Sequence, residues 1–187
     1  FRMPCPRCVV FDCDGVLVEA TNSWRTIHQH FGTDNTTNLE RFIAGEISDV
    51  DFTRSDIQTW LSVTSPILKD ELMGIFMGVK LMPGAKELVR ELQEAGTCVA
   101  IVSAGVDLLV DHVASILNVE HRIANGFQFD ECERLCEEGI YRVHAHRKGD
   151  VVHSLLQSQR LQPEDCICVG DSEMDLSMHI PGTQFIG

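Results

Sequence analysis

The chain has 187 residues, of which 44% are hydrophobic and 23% are charged, a composition typical of a folded globular protein and not of a disordered one. Its formal net charge of −13 opposes binding to nucleic-acid phosphates and to anionic lipid, so neither nucleic acid nor a membrane is expected as a partner. No apolar run approaches the ~20 residues that a membrane-spanning helix needs, and residues 1–4 lack an apolar signal core. We therefore expect a soluble cytoplasmic protein.

The first predicted strand is the apolar run over residues 8–11. Two further runs of the same kind cover residues 97–102 and 166–169. Helical patterns of apolar residues lie between these strands, over residues 83–95, 106–117 and 151–156. This alternation predicts a doubly wound α/β fold with a parallel sheet, in which ligands bind at the carboxyl ends of the strands. The side chains expected to converge there follow the three apolar runs: Asp12, Ser103 and Asp171.

Two stretches interrupt the alternation of strands and helices. Residues 19–81 carry three helical patterns and predict an inserted helical cap domain, which leaves residues 1–18 and 82–187 as the α/β core domain. Residues 127–143 alternate loosely between apolar and polar side chains and predict a β-hairpin.

The central motif is Asp12-Cys13-Asp14-Gly15, directly after the first strand. Side chains two apart on an extended segment point to the same side, so Asp12 and Asp14 can face one pocket. Two neighbouring carboxylates repel each other and favour a cation, and oxygen ligands suit Mg²⁺. The alternative is an ordinary polar turn after a strand, for which Asp and Gly are common residues.

Three later pieces of sequence have the polar groups that a phosphate would need. Ser103-Ala104-Gly105 is predicted to open a helix whose free N–H groups bind an anion, although Ser is also an ordinary helix N-cap. Lys148 supplies a positive charge, although it could equally be a solvated surface lysine. Asp171 ends the last clear strand, and Asp175 could orient Lys148 or a metal-bound water, or simply favour a helix start.

Four cysteines, Cys5, Cys8, Cys132 and Cys136, form a C-x-x-C and a C-x-x-x-C. Four thiolates could hold a structural zinc ion. The spacing is poor, and Cys8 opens a strand that is expected to be buried, so zinc is not favoured.

In this order, and with each at a strand end, the motifs resemble the haloacid dehalogenase-like phosphatases, particularly the phosphoserine phosphatase-like branch. The resemblance covers nearly the whole chain and implies an Mg²⁺-dependent hydrolase of a small phosphorylated metabolite. It implies that Asp12 attacks phosphorus and forms an aspartyl-phosphate, and that Asp14 protonates the leaving group and then activates water. The implied Mg²⁺ ligands are the Asp12 carboxylate, the Asp14 backbone carbonyl and Asp171. The implied phosphate-binding residues are Ser103, Ala104 and Lys148.

The chain departs from phosphoserine phosphatases where they bind the amino acid. Thr21 stands where an acidic residue usually holds the substrate ammonium, and Thr59 stands where a cap arginine usually holds the carboxylate. The nearby Glu19 and Arg54 could substitute for them. We therefore expect a non-zwitterionic substrate, such as a sugar or polyol phosphate. Two further positions bear on the pocket: Trp24, which could pack on a sugar face or belong to the cap core, and Met174, which replaces the usual Asn of the fourth motif.

Four alternatives remain at this stage. One is a phosphoserine phosphatase proper. Another is a phospho-receiver domain, which uses similar residues but is opposed by the long cap and by the late Gly170-Asp171 motif. The third is an inactive relative that only binds phosphate, which the intact Asp12, Asp14, Lys148 and Asp171 oppose. The fourth is a phosphotransferase that passes the phosphoryl group to an acceptor other than water.

Overall fold

The computed structural model describes residues 5–187, and residues 1–4, which were assigned to the core domain, lie outside the described residues. Its centre is a six-stranded sheet in the order β4-β3-β2-β1-β5-β6. β4 runs antiparallel to β3, and the other neighbouring pairs are parallel. The doubly wound α/β fold is therefore confirmed. The strands are β1 (Cys8–Phe11), β2 (Cys98–Val106), β3 (His121–Phe129), β4 (Leu135–Ile140), β5 (Cys166–Val169) and β6 (Gln184–Ile186).

Helices cover both faces of this sheet. Alternate residues of β1 point to opposite faces, so Val9 and Phe11 pack on the side of α5 and α6, whereas Val10 packs on the side of α7. Among residues 5–187 no helix combines the length and the apolar character needed to cross a bilayer. The α-helices are α1 (Ser23–Phe31), α2 (Thr36–Ile43), α3 (Asp49–Val63), α4 (Lys69–Phe76), α5 (Ala85–Glu94), α6 (Asp107–Leu117) and α7 (Lys148–Ser158).

Helices α1 to α4 form the insertion between β1 and α5. The apolar patterns predicted three of these helices, and α2 was not predicted. Ile27, Trp60 and Phe76 of these helices are fully buried in the same apolar cluster as the sheet residues Phe11 and Ile101. The insertion therefore rests on the sheet through shared apolar burial. The division into a cap domain and a core domain stays a prediction.

Two predicted boundaries were wrong. The hairpin predicted over residues 127–143 starts earlier, because β3 begins at His121 and pairs with β2 before it turns into β4. β2 in turn continues to Val106 with an irregular register, so Ser103 lies within the strand and does not open a helix. The reason is pairing with β3, a contact between distant segments that extends the strand beyond its local apolar run.

Candidate active site

The carboxyl ends of β1, β2 and β5 lie side by side and border a cleft of about 180 Å³. Every residue that the sequence analysis named for catalysis, phosphate binding or Mg²⁺ binding lines this cleft, whereas Glu19, Arg54 and Thr59 do not. The lining residues are Asp12, Asp14, Thr21, Asn22, Trp24, Ser103, Ala104, Gly105, Ala145, Lys148, Asp171, Ser172, Met174 and Asp175. The strand-end argument thus predicted that Asp12, Ser103 and Asp171 lie at one cleft, and the roles of these residues stay predictions.

Asp12 directly follows β1 and is 6% exposed. Its Oδ1 atom lies 3.3 Å from Lys148 Nζ but has no aligned hydrogen-bond partner among residues 5–187. Burial raises the pKa of Asp12 to about 7; the Lys148 ammonium opposes this rise, and the carboxylates of Asp175 and Asp14 add to it. Asp12 is therefore a buried carboxylate that lines the cleft, and one of its oxygens pairs with Lys148 without an aligned hydrogen bond.

Lys148 begins α7 and is 3% exposed, so it is not a solvated surface lysine. Its Nζ donates a hydrogen bond to Asp175 Oδ1 and lies between Asp175 and Asp12. Burial alone would lower the pKa of Lys148, but the two carboxylates outweigh it and hold the pKa above its ordinary value. Lys148 is therefore a fixed positive charge in an otherwise acidic site.

Asp175 orients Lys148 and joins the strand end to the turn that follows. Its Oδ2 atom accepts hydrogen bonds from the N–H groups of Asp171 and Ser172, both at 3.1 Å, and from Ser172 Oγ at 2.9 Å. Although burial acts to raise the pKa of Asp175, the ammonium of Lys148 and these donors hold it below its ordinary value. Both oxygens of Asp175 are thus already occupied by hydrogen bonds.

Asp14 is held by Ser23, a residue that the sequence analysis did not single out. Asp14 Oδ2 accepts hydrogen bonds from Ser23 N at 2.6 Å and from Ser23 Oγ at 2.8 Å. Asp14 Oδ1 is buried without a hydrogen-bond partner among the described residues. Burial raises the pKa of Asp14, and the two Ser23 donors moderate this rise.

Three carboxylates, those of Asp12, Asp171 and Asp175, bring oxygen atoms within 4.8 Å of one another. Because Asp175 is fully hydrogen-bonded, Asp12 and Asp171 have the oxygens best placed for a cation. Gly15 has φ +73°, and any side chain there would overlap the Asp171 carboxylate, so glycine permits this approach. The free oxygen of Asp12 and the all-oxygen donor set fit Mg²⁺. The carboxylate of Asp14 faces Ser23 instead, which leaves only its backbone carbonyl for the predicted ligand set.

The end of β2 is held by contacts from distant segments. Ser103 is 1% exposed and its Oγ accepts a hydrogen bond from Gly105 N. The Ala104 carbonyl accepts from Trp24 Nε1 at 3.1 Å and from Asn125 Nδ2 at 3.3 Å. Asn125, which the sequence analysis missed, is a fully buried polar side chain in β3. The sequence offers no clear signal for Asn125, because β3 also contains the polar residues His121, Arg122 and Gln128.

The four cysteines considered for zinc do not gather into a metal cluster. Cys8 is fully buried in β1, whereas Cys132 and Cys136 lie in the β3–β4 hairpin. Within residues 5–187, the three aspartates are the one group of at least three His, Cys, Asp or Glu side chains close enough to bind a single ion.

The raised pKa of Asp12 predicts a pH-dependent stability difference between the wild type and Asp12→Asn. The folded state binds this proton more tightly than the unfolded state, so the stabilisation is present below the ordinary pKa of 3.8 and lost as the pH rises towards 7. In the absence of divalent metal, the free energy of unfolding of Asp12→Asn should rise relative to that of the wild type. The expected rise is up to about 1.4 kcal/mol per pH unit between about pH 4 and 7. Urea unfolding of both proteins across this pH range measures the difference between their free energies of unfolding. A difference that does not change with pH would contradict the prediction.

Comparisons with known proteins assign this fold and site to a family. A model of haloacid dehalogenase-like hydrolases matches residues 6–179, and the chain belongs to that family. It is 28% identical over 173 residues to a phosphoserine phosphatase of Archaeoglobus fulgidus, covering 92% of this chain and 49% of that protein. It is 27% identical over 179 residues to a phosphoserine phosphatase of Idiomarina loihiensis, covering 89% of this chain and 74% of that protein. The chain thus spans about half the length of the first relative.

Solved structures show the same fold. A phosphoserine phosphatase described as a phospho-aspartyl intermediate analogue superimposes with a TM-score of 0.75 at 22% identity, covering 92% of this chain and 81% of that one. A haloacid dehalogenase family hydrolase from Salmonella enterica serovar Typhi has a TM-score of 0.79 at 18% identity, covering 94% and 60%. The predicted family and its phosphoserine phosphatase-like branch are confirmed.

Proposed function

We propose that the protein is a phosphatase that hydrolyses a small phosphomonoester through an aspartyl-phosphate on Asp12. The observation that carries this proposal is the free, buried Oδ1 of Asp12, which lies 3.3 Å from the ammonium of Lys148 in the cleft. Family membership and the phosphatase relatives support it. Sustained release of inorganic phosphate from an aryl phosphate, over many turnovers per protein, tests it. Stoichiometric binding without turnover would instead indicate a phosphate-binding module.

In the first step, an Asp12 oxygen attacks phosphorus and the bond from phosphorus to the leaving oxygen breaks. Asp14 gives its proton to that leaving oxygen. Burial raises the pKa of Asp14, which favours the protonated carboxyl that this step needs. Lys148 and the polar groups at Ser103 and Ala104 are positioned to offset and bind the charged phosphoryl oxygens.

In the second step, water attacks the phosphorus of the aspartyl-phosphate and Asp14, now ionised, takes the proton of that water. The bond from phosphorus to Asp12 breaks, inorganic phosphate leaves, and the starting protonation states return. Asp12, Asp171 and the backbone carbonyl of Asp14 would hold Mg²⁺, which supplies positive charge beside the phosphoryl oxygens when bound.

We further propose that the substrate carries no zwitterionic amino-acid group. Arg54 forms a two-point ion pair with Glu138, with Nε–Oε1 at 2.8 Å and Nη2–Oε2 at 3.1 Å, and does not line the cleft. Glu19 is exposed and also lies outside the cleft lining. A buried ammonium or carboxylate without an opposite charge costs several kcal/mol. The leaving-group side of the cleft therefore suits a neutral group.

Apart from the four aspartates and Lys148, the residues that line the cleft are neutral. Thr21, Asn22 and Met174 offer hydroxyl, amide and thioether groups. Trp24 also reaches the cleft, but its ring stacks on Trp60 at 6.2 Å and its N–H is bonded to Ala104. Trp24 thus packs against the apolar cluster and also lines the cleft, and its packing on a sugar face stays a prediction. Thr59 donates its hydroxyl to Ser55 O within α3 and does not line the cleft.

Sugar and polyol phosphates are expected to be better substrates than phosphoserine. The comparison is kcat/KM for phosphoserine against a panel of these phosphates, each with Mg²⁺. The Arg54→Ala variant is the matched control, and its kcat/KM for phosphoserine should match the wild type within about twofold because Arg54 is paired with Glu138. A tenfold preference for phosphoserine, about 1.4 kcal/mol, would favour the second candidate, a phosphoserine phosphatase proper, which the named relatives support.

A further inference from the structure

We propose that Ser23 is a positioning residue that fixes the orientation of Asp14, and that Asp14 Oδ1 is the atom that exchanges the proton with the substrate. This inference rests on the proposed phosphatase function. It concerns a residue of α1 that the motif pattern does not include, because Ser23 lies nine positions after Asp14 in the chain. Its action is indirect, through the carboxylate that it binds.

The contacts of Ser23 distinguish the two oxygens of Asp14. Ser23 is fully buried, and both its N–H and its hydroxyl reach the same atom, Asp14 Oδ2, at 2.6 and 2.8 Å. Ser23 is the first residue of α1, and the first backbone N–H groups of a helix have no hydrogen-bond partner within that helix. The Ser23 N–H is therefore available to Asp14. Oδ1 is buried without a partner among residues 5–187, in a side chain that lines the cleft. A carboxyl held in this way presents one particular oxygen for proton transfer.

A third contact determines the direction of the hydroxyl proton. Ser23 Oγ lies 2.9 Å from the backbone nitrogen of Val106, which can only donate. The Ser23 oxygen therefore accepts from Val106, and its own proton goes to Asp14 Oδ2. Gly105 leaves room for this arrangement, because a Cβ there would lie 2.6 Å from Ser23 Oγ and 2.9 Å from Asp14 Oδ2.

One side chain thus joins three parts of the site. Ser23 connects the start of α1 to Asp14 after β1 and to Val106 at the end of β2. The neighbouring Trp24 adds the hydrogen bond to Ala104 on the same strand. The orientation of Asp14 therefore depends on the docking of α1 against the end of β2.

The Ser23→Ala variant tests this role through the leaving group. It removes the hydroxyl donor and keeps the backbone donor. The readout is kcat/KM, which covers the steps up to transfer of the phosphoryl group to Asp12, and therefore the protonation of the leaving group. An alkyl phosphate needs that proton, whereas the nitrophenolate of p-nitrophenyl phosphate leaves without it. We expect kcat/KM to fall about 10- to 100-fold for the alkyl substrate and less than about threefold for the aryl substrate.

Two further variants separate positioning from a structural role. Ser23→Thr keeps the hydroxyl and should restore the wild-type ratio of alkyl to aryl kcat/KM. Thr26→Ala removes another hydroxyl of α1, which donates to Asn22 O and does not contact Asp14. This variant should leave kcat/KM unchanged for both the alkyl and the aryl substrate. Far-ultraviolet circular dichroism and thermal unfolding show that each variant is folded. An equal fall for both substrates in folded Ser23→Ala would overturn the positioning role, whereas failure of the wild type to hydrolyse either substrate would overturn the proposed function itself.

Discussion

The Asp12→Asn variant is expected to lose at least about four orders of magnitude of phosphatase turnover, the scale seen when a catalytic nucleophile is deleted. The substitution keeps the shape of the side chain but replaces the nucleophilic carboxylate with a neutral amide. Lys148 remains paired with Asp175, so the variant keeps the positive charge that would face the phosphoryl group. Steady-state release of inorganic phosphate measures the loss. Retention of more than a few per cent of wild-type turnover would remove Asp12 from the nucleophile role.

The same variant is expected to fold at least as stably as the wild type at neutral pH. Asp12 is buried beside two other carboxylates, and burial raises its pKa to about 7, so its ionised form opposes folding. Loss of activity without loss of stability separates chemistry from misfolding. Asp70→Asn, at an exposed site in the first turn of α4, makes the same chemical change away from the cleft and should retain full activity.

Removal of divalent metal is expected to abolish turnover, and Mg²⁺ is expected to restore it. Two carboxylates, Asp12 and Asp171, face each other across the strand ends, and a cation between them would offset their repulsion. Ca²⁺ should inhibit, because its larger and looser shell allows Asp12 to bind with both oxygens and so lose the geometry for attack on phosphorus. Full turnover in excess chelator would refute the metal requirement.

Metal binding can also be followed without substrate. Mg²⁺ binds the folded state, so it should raise the Tm of the chelator-treated protein in a concentration-dependent manner. Asp171→Asn should lose most of this shift, because it removes one of the proposed ligands. Asp150→Asn is the matched control, since Asp150 is exposed and pairs with Arg147 on the surface of α7. Equal shifts in Asp171→Asn and the wild type would show that Mg²⁺ binds elsewhere.

The amino-acid sequence alone was sufficient to predict the elements with strong local patterns. The apolar runs of β1 and β5 and the helical period of α5 each lie within one segment of the chain, so their form can be read directly. The approach of Asp12, Ser103 and Asp171 followed from a general property of parallel sheets, whose carboxyl ends share one edge. For this reason these three cleft residues could be named in advance, whereas Asn22, which also lines the cleft, was not named.

Helix α2 is an element that the local sequence patterns did not predict. None of its residues is buried, and its apolar residues Leu39, Phe42 and Ile43 form only a short helical face, which the sequence analysis did not single out. The start of β3 was missed for a related reason, because Arg122, Asn125 and Gly126 interrupt its apolar residues. Pairing with β2 completes that strand. Tertiary contacts, and not intrinsic preference, decide such segments.

The fine structure of the site was decided only by the tertiary fold. The sequence determined that Asp14 would follow β1, but not that its carboxylate would turn towards Ser23 and away from the Asp12 group. It supplied Arg54 as a possible substrate ligand, but the fold pairs that side chain with Glu138, 84 residues away. Local patterns specify where strands and helices form. Hydrogen bonds and ion pairs between distant segments depend on how those elements pack, and so they appear only once the chain is folded.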